Sequence, residues 1–454
     1  MTDSWIHTRR PLDIAVIGTG ISGMAAAWLL SARHRVTVYE KDDRLGGHTN
    51  TVEVPSAAGA VPVDTGFIVY NERNYPNLTA LFRHLGVPTQ ASDMSFAVSL
   101  DEGRLEYAGT GLGTLFAQRS NLFRPRFWVM LRDLLRFYRA APYLLDDPGH
   151  EALTLGAYLE SHHYSRAFIE DHLLPMAAAI WSAPMATMRS HPAASFVRFC
   201  QNHGLLSVLG ERPAWRTVTG GSREYVSRLT ARYAGRIRLG CAVRALHRGA
   251  DHVLVEDSRG AAARFDHAVI ASHADEALSM LRDPSAEERN LLGAFRYERN
   301  LAILHNDAGL MPRRRAVWSS WNYLGRRKDG GDRALCVTYW LNRLQGIPED
   351  ESWFMTLNPH RTPRPDSIHR SFLYDHPIFD AEAPHAQRAL WRLQGRRNTW
   401  FCGAYFGAGF HEDGLQAGLA VAEALGGLRR PWHVADESGR IHLGPVHQPT
   451  QAAS

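Results

Sequence analysis

A chain of 454 residues with 45% hydrophobic and 21% charged side chains is long enough for two domains with real cores, and its composition excludes a disordered or fibrous protein. Its net charge of +5 rests almost wholly on arginine, Lys41 and Lys328 being the two lysines, and no nucleic-acid-binding motif is formed. Cys200, Cys241, Cys336 and Cys402 are scattered, with no C-x-x-C, which argues against a disulfide framework and a metal site. The polar first residues predict no signal peptide, and the lack of an apolar run of about 18 residues predicts no transmembrane helix, so a cytoplasmic protein is expected, with contact at the inner face of a membrane left open.

In chain order, Leu12–Ile17 reads as a buried parallel strand and runs into Gly18-Thr-Gly20-Ile-Ser-Gly23, a G-x-G-x-x-G. Gly18 permits the tight turn, Gly20 lets backbone approach a pyrophosphate, and Gly23 lets the next helix pack close to the strand. The helix formers Ala25–Leu30 follow, so a helix N-terminus faces the phosphates. A second strand, Arg35–Tyr39, ends at Glu40, the spacing at which a ribose hydroxyl is met.

Asp43-Arg44-Leu-Gly46-Gly47-His48-Thr49 comes next, and this run resembles the R-x-G-G-R signature of the flavin amine oxidase superfamily, with His48 where that family has its second arginine. Val63-Asp64-Thr65-Gly66-Phe67 resembles the family's D-x-G segment beside the flavin. The resemblance implies an α/β fold: a discontinuous Rossmann-type FAD-binding domain and an α+β substrate domain with an antiparallel sheet and helices. It also implies FAD held by Gly18, Gly20, Ile21, Ser22 and Gly23, by Glu40, Lys41, Arg44, Gly46, Gly47, His48 and Thr49, and by Asp64, Thr65, Gly66 and Phe67.

From Asn74 a helix is expected up to Gly86, opening a mostly helical stretch over 74–214. Within it, Phe127, Leu131, Leu134, Leu135 and Tyr138 recur at helical spacing, with Arg126, Arg132, Arg136 and Arg139 mostly opposite. This basic amphipathic helix either lies on an anionic membrane or packs on the substrate domain with a solvated arginine face. Phe168–Trp181 is another helix, expected to kink or restart at Pro175, and a further one spans Ser195–Leu206. Thr219-Gly220-Gly221-Ser222 resembles the segment that reopens the FAD domain over 215–283, with Ser222 at a helix start, Val243 at the adenine and Ser272 ending a strand that runs to the cofactor. Aromatic-rich strands fill 284–394, where Trp318, Trp321, Tyr323, Tyr339, Trp340, Trp353 and Phe354 suit the floor of an apolar pocket or a plain core.

The FAD domain resumes over 395–430. Gly403-Ala404-Tyr405 closes a strand, and Asp413 and Gln416 read as a capping box for a helix from Gly414, with Leu415 behind it. This resembles the superfamily's closing motif, which puts Gly403, Ala404, Asp413, Gly414 and Leu415 at the flavin. Residues 431–454 read as a loose tail. No cysteine lies in 374–394, where some relatives attach flavin, so non-covalent FAD is expected.

The family's catalytic lysine is expected near Arg299–His305, but none is there, and Lys328 lies in a Gly- and Arg-rich loop. His411 stands where amine-oxidising relatives have an aromatic side chain. The run Gly403 to Gly414, with Tyr374-Asp-His376-Pro377, resembles bacterial FAD proteins often encoded beside cyclopropane-fatty-acid-synthase-type methyltransferases. The leading expectation is hydride transfer from an unsaturated or methyl-branched acyl chain to flavin, a desaturation or isomerisation, with His411 or His376 handling the second proton and Tyr405 lining the site. The alternatives are an amine or amino-acid oxidase with a changed pocket, and a flavin-binding accessory of a lipid methyltransferase. The partner is a small, apolar or lipid substrate; oligomeric state is not legible.

Overall fold

The apolar run after Pro11 forms the strand Asp13–Ile17, the middle of a five-stranded parallel sheet in a computed structural model that describes residues 10–56, 59–146, 153–206, 213–326, 334–380 and 382–445. The strand order is Ile237–Arg238, Arg35–Tyr39, Asp13–Ile17, His267–Ile270, Thr399–Phe401, and every pair is parallel. Three well-separated stretches of chain therefore share one sheet. The central strands are buried on both faces, which is why they read as unbroken apolar runs.

The helix Ile21–Leu30 is wholly buried. The last helix, His411–Ala424, crosses it at Gly414 and Gly418: a Cβ on Gly418 would fall 2.2 Å from the Ser22 carbonyl oxygen. Glycine there lets the two backbones touch. An antiparallel meander of Val243–Arg248, Val253–Asp257 and Ala262–Phe265 lies beside this layer.

The second layer is a seven-stranded sheet, in the order Ile368–Ile378, Arg296–His305, Phe354–Leu357, Val337–Trp340, Trp321–Gly325, Phe96–Leu100, Leu105–Ala108. Its first five strands are the expected antiparallel set. The last two come from the stretch read as mostly helical, and Phe96–Leu100 joins parallel to Trp321–Gly325. They form a hairpin whose turn, Asp101-Glu102-Gly103, holds three positive φ angles.

Helices appear at Pro76–Leu85, closed by left-handed Gly86, and at Pro125–Ala140 and Ala193–Asn202. The helix restarts at Pro175, which stands in the first turn of Leu174–Trp181. A π-helical turn over Ile169–Leu173 precedes Leu174–Trp181 and absorbs the missing N–H. The loose-tail expectation is corrected as far as residue 445. The Arg430 guanidinium is fully buried against Glu423 at 2.8 Å, Trp432 stacks on Trp28 with ring centres 5.9 Å apart, and Arg440 pairs with Asp413 at 2.6 Å. Without Arg430 the Glu423 carboxylate would be a buried unpaired charge, which anchors the segment.

Candidate flavin and substrate site

One cavity of about 970 Å³ runs from Glu40 past the glycine loops to the face of the seven-stranded sheet. Its narrow end is a trough. A Cβ on Gly20 would meet nothing within 4 Å, so open space reaches the backbone there, whereas one on Gly18 would sit 2.9 Å from the Ala271 carbonyl oxygen. Gly47, with φ of +57°, brings the second glycine loop against the first: a Cβ on it would lie 3.3 Å from Gly20 Cα. The helix starting at Ile21 points its unpaired first-turn N–H groups at this space. Glu40 is locked in place, its carboxylate accepting from the Thr19 N–H at 2.9 Å and the Asp42 N–H at 3.0 Å. A dinucleotide fits this donor set: backbone N–H groups for a pyrophosphate and a fixed carboxylate for a ribose.

Most expected cofactor residues line the cavity. These are Gly18, Gly20, Ile21 and Ser22; Glu40, Lys41, Arg44, Gly46, Gly47 and His48; Thr65, Gly66 and Phe67; and Val243, Ser272, Gly403 and Ala404. The Lys41 ammonium is engaged by Glu276 at 2.6 Å. Arg44 turns one nitrogen to the carbonyls of Leu45 and Thr49. Gly23 lies off the cavity in its packing role; a Cβ would strike the Gly18 carbonyl oxygen at 2.0 Å.

Five further expected cofactor residues lie off the cavity, and the cap bond expected of Ser222 is not made. Asp64 is buried away from the cavity, where its carboxylate accepts from the Ser222 N–H and hydroxyl and from Thr51. Ser222 is thereby spent on Asp64 instead of capping its helix. Burial outweighs those bonds and raises Asp64 to about 6. Thr49 is also off the cavity, bonded to the Tyr225 hydroxyl at 2.5 Å. The closing helix starts at His411, three residues early, so Asp413 is its third residue. Its carboxylate accepts the Phe410 N–H at 2.7 Å and meets Arg440, while Gly414 packs on Ser22 and Leu415 enters the core.

His48 is no substitute for a phosphate-binding arginine. It stacks on Tyr374 with centres 5.0 Å apart, and burial beside His376 and His273 holds it neutral.

The three candidate catalytic side chains all line the cavity, in very different settings. His411 lies flat on Phe67, centres 3.8 Å apart, and its Nε2 shares a 2.7 Å hydrogen bond with the Tyr225 hydroxyl. Burial pulls it down to about 3, so it stays neutral and is a poor proton acceptor. The Tyr405 ring is wedged between Phe295 and Phe406, and its hydroxyl has no hydrogen-bond partner among the described residues.

His376 is fixed by a chain of bonds that leaves no choice of tautomer. The Leu301 N–H donates to Asn358 Oδ1 at 3.0 Å, so Asn358 Nδ2 donates to Asn300 Oδ1 at 2.6 Å. Asn300 Nδ2 therefore faces the Glu298 carbonyl and His376 Nδ1, each at 3.0 Å. With Nδ1 an acceptor, the imidazole proton sits on Nε2. Burial lowers His376 to about 4, so this N–H persists at neutral pH. Sequence reasoning missed Tyr225, Asn300 and Asn358; Asn358 alone carried a signal, as an asparagine suited to its left-handed backbone, φ 47°.

The wide end of the cavity is walled by Met94, Phe96, Trp321, Tyr339, Met355 and Leu373. Of the singled-out aromatics only Trp321 and Tyr339 reach it; Trp318, Trp340 and Phe354 form a separate cluster behind the sheet. At the expected lysine strand, Asn300 is buried and Arg299 pairs with Asp375 at 2.9 Å. Lys328 lies outside the described residues.

The sequence model of the flavin containing amine oxidoreductases matches residues 21–304. An L-amino-acid oxidase of Bungarus fasciatus is 47% identical over 45 residues, 10% of this chain and 9% of that protein. A carotenoid phi-ring synthase of Streptomyces griseus is 35% identical over 144 residues, 29% of this chain and 26% of that protein. The matches thus span about a quarter or less of those curated relatives. Among solved structures, cyclohexylamine oxidase from Brevibacterium oxydans superposes with a TM-score of 0.64 at 18% identity, covering 92% of this chain and 99% of that one. A CLA-producing fatty acid isomerase from P. acnes gives 0.63 at 14%, covering 91% and 98%.

Proposed function

Because the chain belongs to the flavin-containing amine oxidoreductase family, we propose that this FAD-dependent oxidoreductase acts on an unsaturated or methyl-branched fatty acyl chain, as a desaturase or isomerase. The observation that carries the reading is the pairing of the cavity's carboxylates. Glu40 is bound by Thr19 and Asp42, Glu276 by Lys41, and Asp375 by both nitrogens of Arg299, while Asp42 is exposed at the trough end. A substrate ammonium entering the wide end would find apolar walls and no counterion, a heavy desolvation penalty. An acyl chain would find a matching surface. The names of two similar proteins, the carotenoid phi-ring synthase and the fatty acid isomerase, agree with an apolar substrate.

Bound non-covalently in the trough, FAD supplies the two-electron acceptor for a substrate C–H. The protein does the rest. The first turn of His411–Ala424 presents its positive end to the cavity and favours negative charge there. His411, clamped by Phe67 and Tyr225, is a rigid wall. His376 enters as a neutral hydrogen-bond donor through Nε2, orienting the substrate and stabilising negative charge that develops on it, with its own proton retained.

Anaerobic addition of host lipid fractions, with mass spectrometry of the products, tests the reading. Bleaching of the flavin band with a product two hydrogens lighter, or a shifted double bond, is expected; bleaching by amines alone overturns it. Acid precipitation should leave a yellow supernatant, since all four cysteines are buried and only Cys241 lines the cavity, at the trough end.

A further inference from the structure

Six of the eleven exposed large apolar side chains among the described residues fall within residues 112–143. Phe123 is 85% exposed, Leu112 77%, Tyr143 74% and Trp128 49%. They lie along one surface. Phe116 joins Leu112 to Trp128, being one helical turn from the first and 5.6 Å ring to ring from the second. The Trp128 indole N–H donates to the Leu122 carbonyl at 2.9 Å. From Trp128 the stripe follows the helix Pro125–Ala140 through Arg132, Leu135 and Arg139, a length of roughly 17 Å. Leu135, expected on the packed face, points outward.

The charge on this surface is mainly positive, although Arg126 is paired with Asp171 at 2.7 Å and faces Glu170. Residues 107–143 hold six arginines against a single acid, Asp133, which is buried and spent on the Ser165 N–H at 2.8 Å and on Arg132. Arg132, Arg136 and Arg139 line a shallow groove with Leu135 and Tyr143. Beneath it, Tyr138 of the same helix lines the large cavity, and cavity-lining Gly109 is three residues from exposed Leu112.

We propose that this face docks on an anionic lipid bilayer, with Leu112, Phe123 and Trp128 in the headgroup–acyl boundary and the helix arginines on lipid phosphates. A protein interface concentrates apolar side chains in a core depleted of charge. Here arginines and apolar side chains alternate turn by turn, the pattern of a helix lying in the interfacial plane. A second copy of the chain would bring two basic faces together, which repels. Among the described residues no helix is long and apolar enough to cross a membrane, so the contact is peripheral.

Flavin-loaded protein is sedimented with vesicles of phosphatidylcholine, with and without phosphatidylglycerol, at rising salt. Binding to the anionic vesicles only, weakening with salt, is expected. Phe123→Ser lowers the partition coefficient about tenfold or more, and Arg139→Gln roughly fivefold. Both variants keep the flavin spectrum and melting temperature of the parent. Equal binding to neutral vesicles, no binding to either, or anionic binding indifferent to both variants overturns the proposal, and an acidic protein retained by this face while vesicles are not makes it a protein interface. The readout is partition, not turnover, so it stands apart from the substrate reading.

Discussion

At His376 the decisive atom is a proton whose position is set two asparagines away. Asn358 reads a backbone N–H, Asn300 reads Asn358, and the imidazole reads Asn300. Asn300→Asp puts a carboxylate against Nδ1, which draws the proton there, turns Nε2 into an acceptor and raises the imidazole above its present value of about 4. The variant should stay yellow, lose about 100-fold or more in the rate of substrate-driven bleaching, and show an acid limb moved to higher pH. An unchanged rate would remove His376 from the chemistry. At Gly20 the argument is one of empty space. A Cβ there meets nothing within 4 Å and the backbone has an ordinary φ of −60°, so Gly20→Ala is accommodated by the protein. The variant apoprotein should match the parent stability to within about 0.5 kcal/mol yet fail to retain flavin in ultrafiltration.

Elements built from local pattern were legible: the strand, glycine turn and helix of residues 12–30, and the helix stopped by Gly86, depend on neighbours in sequence. Elements defined by distant partners were not. Phe96–Leu100 and Leu105–Ala108 are short, and the sheet they extend is made more than two hundred residues later. Asp64 sits in a segment that resembles a flavin contact, and only the fold shows its carboxylate turned to Ser222. The closing helix was misplaced because an aspartate three residues into a helix does the same local work as one at its start. That helix depends on its glycines: Gly418→Ala forces a methyl onto the Ser22 carbonyl, with about 1–3 kcal/mol of overpacking. A lower midpoint in urea and weaker flavin retention should appear together, because the same helix turns its first residues to the cavity.

Over the whole molecule, stability should peak near neutrality. His191, His267 and His305 are buried outside the cavity lining and held neutral, each lowered to about 4. A depressed histidine contributes stability that is whole above its unfolded value of 6.5 and is lost as pH falls through 4, about 3 kcal/mol each. Asp64, raised to about 6, works the other way: its contribution is present below 3.8 and lost as pH rises through 6. Three groups outweigh one, so urea midpoints should fall steeply between pH 6.5 and 4, and His267→Gln should flatten that slope; a flat profile in the parent refutes the assignment. The parallel sheet also sets a timetable for biosynthesis. Its edge strand Thr399–Phe401, the helix that turns its first residues to the cavity and the segment pinned by Arg430 are synthesised long after the strands they complete. The glycine turn near residue 20 waits through almost four hundred further residues for its other wall, so the flavin trough is complete only once residues 399–430 have folded onto it.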